Sequence, residues 1–267
     1  VPIDLHDELS FFLALTEGGL TVSCEGVDGD DNLVARALHA LAEASGRPIS
    51  GEVVVRKGIP VGAGLGGGSS DAALALRVGA RLLAEDEGME IESERLHGLA
   101  ARLGADVPFF LGDGPALARG IGERLEPFAL PVLPVVLVMS TDTLSTPSVY
   151  RTFDKVAPTE TMEEFSIRAH ACERDWRACA RQCGGRVAEL LRNDLEQASF
   201  SLLPHLVEDK RALVEAGALG ALMSGSGPTL FGLCRSAAAA QTAAQRLAAR
   251  GYTARAASTL LSSLTYV

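Results

Sequence analysis

Apolar residues recur along this chain with two periods, and the switches between them predict its elements. Val1 to Leu13 reads as chain already inside a sheet, and Leu20 to Cys24 as a further strand. Asp31-Asn32-Leu33 opens a helix running to about Ser45, with Leu33, Ala37, Leu38 and Leu41 on one face and Asp31 as its cap. Glu52 to Arg56 is a strand, and Ser70 to Ala84 a helix. Glu92 to Leu103 is a third amphipathic helix. Gly104 to Phe110 starts another, with Pro108 in the first turn where its missing N–H costs nothing. Ala116 to Phe128 reads as a β-hairpin around Gly120-Ile121-Gly122. The continuous apolar run Val132 to Met139 is a buried strand opening a second domain after Pro131. Met162 to Leu191 is mostly helical, and Pro204 to Glu215 is helical. Strands are expected at Ala218 to Met223, Thr229 to Cys234 and Thr253 to Ser258, with an alanine-rich helix from Ser236 to Arg250. The mixture predicts two α+β sandwiches, residues 1–131 and 132–267.

One stretch interrupts the periodicity. Pro60-Val61-Gly62-Ala63-Gly64-Leu65-Gly66-Gly67-Gly68-Ser69-Ser70-Asp71 joins a strand to a helix. Its run of glycines lets backbone N–H groups turn inward and approach an anion closely. Ser69 or Ser70 is expected to cap the helix, whose positive end then faces the same space. A flexible turn is the plain alternative, but glycine turns rarely lead straight into a capped helix. A Walker A loop would need Lys where Ser69 stands. The dinucleotide fingerprint is met by Gly62, Gly64 and Gly67, but Glu85 ends a helix instead of a second strand. A long glycine loop wrapping a nucleoside triphosphate remains.

Composition narrows the setting. With 24 Lys and Arg against 34 Asp and Glu, the net charge is −10, and no basic block occurs. Nucleic acid and anionic membrane are therefore not expected as partners. An acidic chain that binds a nucleotide must use local dipoles and a few placed cations. The five cysteines, Cys24, Cys172, Cys179, Cys183 and Cys234, form no Cys-x-x-Cys pair, so buried thiols in a reducing cytoplasm are the expectation, with no metal site assigned. No signal peptide or membrane-spanning run is visible.

Three further features carry candidate chemistry. Ser224-Gly225-Ser226-Gly227-Pro228 is a second small-residue loop between apolar runs; alone it reads as a tight turn, while two such loops in one chain suggest one facing phosphates and one the transferring group. Asp106 at a helix start is either an N-cap or a carboxylate that accepts or orients the proton of an attacking alcohol. Lys57, just before Pro60 at the mouth of the loop, reads by itself as a solvated strand-end lysine.

Pro60 to Ala72 resembles the nucleotide loop of the GHMP small-molecule kinases, and Leu222 to Thr229 resembles that family's third motif in sequence and order. Leu103-Gly104-Ala105-Asp106-Val107-Pro108 resembles the segment bearing its catalytic aspartate. The form Gly-Leu-Gly-Gly-Gly-Ser-Ser-Asp is most similar to members that phosphorylate a cytidyl-methylerythritol alcohol of the non-mevalonate isoprenoid route. The resemblance implies a two-domain α+β GHMP kinase fold, an S5-like α/β sandwich followed by a ferredoxin-like sandwich. It implies ATP and Mg²⁺ as cofactors, a small-molecule substrate, a monomer or weak homodimer, and a cytoplasmic enzyme. Carried over by residue, Asp106 is the base. Pro60, Gly62, Gly64, Leu65, Gly66, Gly67, Gly68, Ser69 and Ser70 hold the phosphates, and Asn32, Leu33 and Lys57 the adenine. Gly225, Ser226 and Gly227, with Thr146, Pro147 and an aromatic clamp at Tyr150, face the substrate; a core tyrosine is the alternative. Asn193-Asp194-Leu195-Glu196 fits the same branch and reads as a helix cap. Family members open with Pro-Ala-Lys-x-Asn-Leu and then Asp-Gly-Tyr-His; neither occurs here. The expectation is a chain lacking about a tenth of a full-length member, the implied losses being one strand, one catalytic cation and half the clamp. A kinase for homoserine or mevalonate, or a non-catalytic nucleotide-binding relative, is the competing reading.

Overall fold

The computed structural model describes residues 1–27, 31–120, 122, 124–156, 161–180 and 187–261. These divide into two compact units. One comprises Leu5–Val61 and Gly66–Phe128; the other comprises Val1–Asp4, Gly62–Leu65 and Ala129–Leu261.

The first unit is built on a three-stranded sheet. Strands β1 (Glu8–Ala14), β2 (Leu20–Cys24) and β3 (Ser50–Arg56) lie in the order β1-β3-β2, with β3 antiparallel to β1 and parallel to β2. A parallel pair needs a crossover, and helix α1 (Leu33–Ser45) supplies it. Helices α2 (Gly67–Glu87), α3 (Ser93–Leu103) and α4 (Val107–Leu111) follow, then the antiparallel pair β4 (Ala116–Arg119) and β5 (Arg124–Pro127). Val22, Cys24, Val53 and Val55 of the sheet share one core with Val34, Leu38 and Leu41 of α1 and Leu76 and Leu83 of α2. The alanines at 72, 73 and 75 are fully buried, and their small side chains let α1 pack closely on α2.

Two expectations change here. The chain before Glu8 is not strand: Ile3 makes one bridge to Thr259, and residues 5–7 form a loop. Asn32, not Asp31, caps α1. Its backbone is extended and its Oδ1 accepts from Val34 N at 2.9 Å, whereas Asp31 lies one position too early in the turn. In the expected hairpin turn, Ile121 lies outside the described residues, as does Cys183.

The second unit carries a four-stranded antiparallel sheet in the order β7-β8-β6-β9. Its strands are β6 (Pro134–Val138), β7 (Gly220–Met223), β8 (Leu230–Leu233) and β9 (Ala254–Ser258), with β6 and β8 central. Helices α5 (Thr146–Val156), α6 (Met162–Ala180) and α7 (Glu196–Leu202) precede α8 (Leu206–Ala216), and α9 (Ala237–Ala249) lies between the last two strands. Leu206 and Leu213 of α8 and Ala240, Ala243 and Leu247 of α9 bury the sheet residues Val136, Val138, Met223 and Leu230. Among the described residues, no helix is long and apolar enough to cross a membrane.

Candidate active site

The turn at Gly66 and helix α2 present backbone donors, with a different start from the expected one. Helix α2 begins at Gly67, and its N-cap is Gly66 at φ +72°, without a side-chain cap. The left-handed turn admits the helix early, so Ser69 and Ser70 lie in the first turn instead of capping it. A Cβ on Gly66 would stand 3.0 Å from the Phe110 ring of α4. The first intrahelical bond runs from Ser70 N to Gly66 O. That leaves the N–H groups of Gly67, Gly68 and Ser69 without an intrahelical acceptor at the positive end of a 21-residue helix. A polyphosphate fits this donor set. Ser70 Oγ donates to Gly67 O at 2.8 Å, bracing the same turn.

Asn32 and Leu33 stand at the start of α1. Asn32 is buried, with Oδ1 on Val34 N and Nδ2 donating to Val27 O at 2.8 Å. Lys57 is not a solvated strand-end lysine. Its side chain is 13% exposed, and its ammonium donates to Asp7 Oδ2 and, at 3.0 Å, to Asp71 Oδ2. Burial alone lowers the Lys57 pKa, but the hydrogen bonds and charges of the two carboxylates outweigh it and raise it above the ordinary lysine value. Burial pushes the Asp71 carboxyl up to about 6; the Lys57 charge opposes that rise and the Asp7 charge adds to it. Sequence reading missed Asp7 and Asp71. Only Asp71, next to the serine pair, carried a local signal.

Asp106 immediately precedes α4, whose Pro108 lies in the first turn. Its side chain makes no capping hydrogen bond and is exposed, so the N-cap alternative has no support in the geometry. The carboxylate is exposed at a helix start, one turn before the Phe110 that packs against Gly66.

In the second unit, residues 224–228 form the second glycine loop, and Gly62–Leu65 lies against it. Ser224 Oγ donates to Gly64 O at 3.0 Å, and Thr229 N donates to Ala63 O at 3.3 Å. Gly64 has φ +72°, and a Cβ there would fall 2.2 Å from Gly227 O, so no other residue fits. Thr146 at the start of α5 shares a 2.9 Å hydrogen bond with Ser226 through their hydroxyls. Tyr150, on the same helix, is 53% exposed and not a core residue; Val149 faces inward instead. The Asn193 segment does more than cap a helix. Asn193 Nδ2 donates to Met223 O at 2.9 Å and to Gly225 O at 2.7 Å, and its Oδ1 accepts from Leu195 N. Glu196 Oε1 accepts from Met223 N while its Oε2 takes the Lys210 ammonium. Ser199 Oγ donates to Ser226 O. This scaffold has no short-range sequence signal, because 30 residues separate Asn193 from Met223.

Comparison with known proteins agrees with both halves. Residues 32–114 match the GHMP kinases N terminal domain, and residues 177–253 match the GHMP kinases C terminal model. A 4-diphosphocytidyl-2-C-methyl-D-erythritol kinase of Pelotomaculum thermopropionicum is 42% identical over 249 residues, covering 91% of this chain and 82% of that protein. The enzyme of the same name from Citrifermentans bemidjiense is 42% identical over 264 residues, 97% of this chain and 88% of its own length. A crystal structure of 4-(cytidine 5'-diphospho)-2C-methyl-D-erythritol kinase superposes with a TM-score of 0.72 at 35% identity, covering 96% of this chain and 87% of that one. With both models matched in order, and relatives of this identity covered along most of their length, the chain belongs to the GHMP kinase family.

Proposed function

We propose that this protein transfers the γ-phosphoryl group of ATP to the 2-hydroxyl of 4-diphosphocytidyl-2-C-methyl-D-erythritol. The observation that carries the reading is the glycine turn at Gly66, which leaves three N–H groups without an intrahelical acceptor at the head of α2. The kinship to the cytidyl-methylerythritol kinases selects the acceptor.

ATP, when bound, supplies the phosphoryl group. The protein's part is positioning and charge stabilisation, which dominate phosphoryl transfer. Pro60, Gly62, Gly64, Leu65, Gly66, Gly67, Gly68, Ser69 and Ser70 wrap the phosphates, with the N–H groups of Gly67, Gly68 and Ser69 and the helix dipole meeting the negative oxygens. Asn32 and Leu33 take the base side, and Lys57, between its two carboxylates, serves the nucleotide from beside the loop. Asp106 accepts or orients the proton of the attacking hydroxyl. Gly225, Ser226 and Gly227, with Thr146, Pro147 and the exposed ring of Tyr150, take the cytidyl alcohol, where stacking on a base is worth about 1–3 kcal/mol. Mg²⁺ belongs to the same proposal: Ser69 or Ser70 would help to hold it, and it would supply charge neutralisation at the phosphates. The setting proposed is the cytoplasm.

The test is ADP release by this 267-residue chain, with ATP and Mg²⁺ and each of three acceptors: the cytidyl-methylerythritol, homoserine and mevalonate. Release with the first alone is expected; release with either of the others instead would overturn the substrate assignment.

A further inference from the structure

Asp7, Lys57 and Asp71 come from three separate places in the first unit: the loop before β1, the end of β3 and the second turn of α2. Asp7 is almost wholly buried and its oxygens are all in use. Oδ1 accepts from Gly58 N at 2.7 Å and Ile59 N at 2.8 Å, and Oδ2 accepts from the Lys57 ammonium. The same Oδ2 lies 3.2 Å from where a Cβ on Gly67 would sit, so this carboxylate is packed directly against the first residue of α2. Lys57 then reaches on to Asp71 at 3.0 Å. The residues just before the glycine loop and those just after it are thereby tied to one buried cluster. An ammonium occupied on two sides by carboxylates, with its side chain 13% exposed, has little left to offer a nucleotide.

We propose that Asp7, Lys57 and Asp71 form a positioning clamp that holds the two ends of the phosphate loop in register, and that Lys57 serves the nucleotide through this clamp and not by touching it. The inference rests on the reading of Gly62 to Ser70 as a nucleotide loop. It assigns the three residues no chemical step. Their effect is on the geometry of the Gly67, Gly68 and Ser69 donors.

The two roles of Lys57 make opposite forecasts. As a clamp member, Lys57→Met and Asp71→Ala each release the start of α2, and the double variant is no worse than Lys57→Met alone. As a direct contact, Lys57→Met weakens binding while Asp71→Ala frees the ammonium and leaves affinity equal or better. Titration calorimetry with MgATP separates them. Each single variant is expected to weaken ATP about tenfold and the double also about tenfold instead of a hundredfold, the non-additivity of residues sharing one network. Asp71→Asn, which keeps an acceptor for Lys57, should retain most of the affinity. The KM for ATP should rise while kcat at saturating ATP stays within about threefold of wild type. Unchanged ATP affinity in Asp71→Ala, or additive losses in the double variant, would overturn the clamp. A second measurement needs no nucleotide: hydrogen exchange of backbone amides from Val61 to Ser70 should be faster in Asp71→Ala, and unchanged exchange overturns the clamp by itself. Wild-type protein that fails to bind ATP while its loop still loosens in Asp71→Ala would count against the kinase reading and leave the clamp standing.

Discussion

The two glycine loops of this chain are held by different kinds of frame. Around the first, a lysine between two buried carboxylates joins the chain before the loop to the helix after it. Around the second, an asparagine amide, a serine hydroxyl and one glutamate oxygen bind backbone atoms at Met223, Gly225 and Ser226. The ionic frame carries one negative charge in excess of its single ammonium, and so responds to pH. The second frame is neutral in sum: its one carboxylate, Glu196, is balanced by the Lys210 ammonium, and it holds the loop by hydrogen bonds to backbone atoms. The first loop is thus backed by an excess of charge, and the second by a balanced set of amide, hydroxyl and carboxylate contacts.

Replacing a residue outside both frames should give the largest effect. Asp106→Asn is expected to cut kcat by about 10²–10⁴, the range for a lost general base, with Kd for ATP within about twofold. Single-turnover kinetics and calorimetry check the split. A parallel loss of ATP affinity would make Asp106 structural and erase its distinction from the frame residues.

The neutral frame is tested by Asn193→Asp. The isosteric carboxylate turns two donations, to Met223 O and Gly225 O, into repulsions. A loss of about 2–3 kcal/mol in unfolding free energy is expected from denaturant melts, with KM for the acceptor rising more than KM for ATP. An unchanged acceptor KM would mean that the second loop does not depend on this frame.

The ionic frame should show itself in the pH dependence of stability. Asp71 lies at about 6 in the folded protein against its ordinary 3.8. The folded state therefore binds more protons between those values, and stability falls as pH rises from about 4 to beyond 6. Against Asp71→Asn, wild type should lose about 3 kcal/mol over that window at most, because the shift is about two pKa units. Parallel pH curves for the two proteins would remove the charge from the comparison.

Ser70→Ala should have the smallest effect. It deletes one hydrogen bond to Gly67 O and costs about 1 kcal/mol, read as a small drop in melting temperature. A loss of more than tenfold in ATP affinity would instead make the Ser70 hydroxyl a ligand contact.

Much of the fold was legible from apolar periodicity. The boundaries of α3, α9 and all four strands of the second unit's sheet fall within a residue or two of those expected, because each has a clean face to bury. The helix caps were misread at Asp31 and at Ser69 or Ser70. Cap choice follows backbone dihedrals of single residues, extended at Asn32 and left-handed at Gly66, which a side-chain preference does not reveal. The frames were not legible at all. Asp7 and Lys57 stand 50 residues apart and Asn193 and Gly225 stand 32 apart, and no local pattern marks such pairs.

The sequence by itself determined where this chain can bend around an anion, because only glycine populates the left-handed conformations found at Gly62, Gly64 and Gly66. It also determined that a helix follows those bends, through the apolar face of α2, though not the residue at which that helix starts. Tertiary structure alone decided which charges and amides hold the bends still. Burial makes a lone carboxylate or ammonium costly, so Asp7, Lys57 and Asp71 are stable there only when the fold brings all three together.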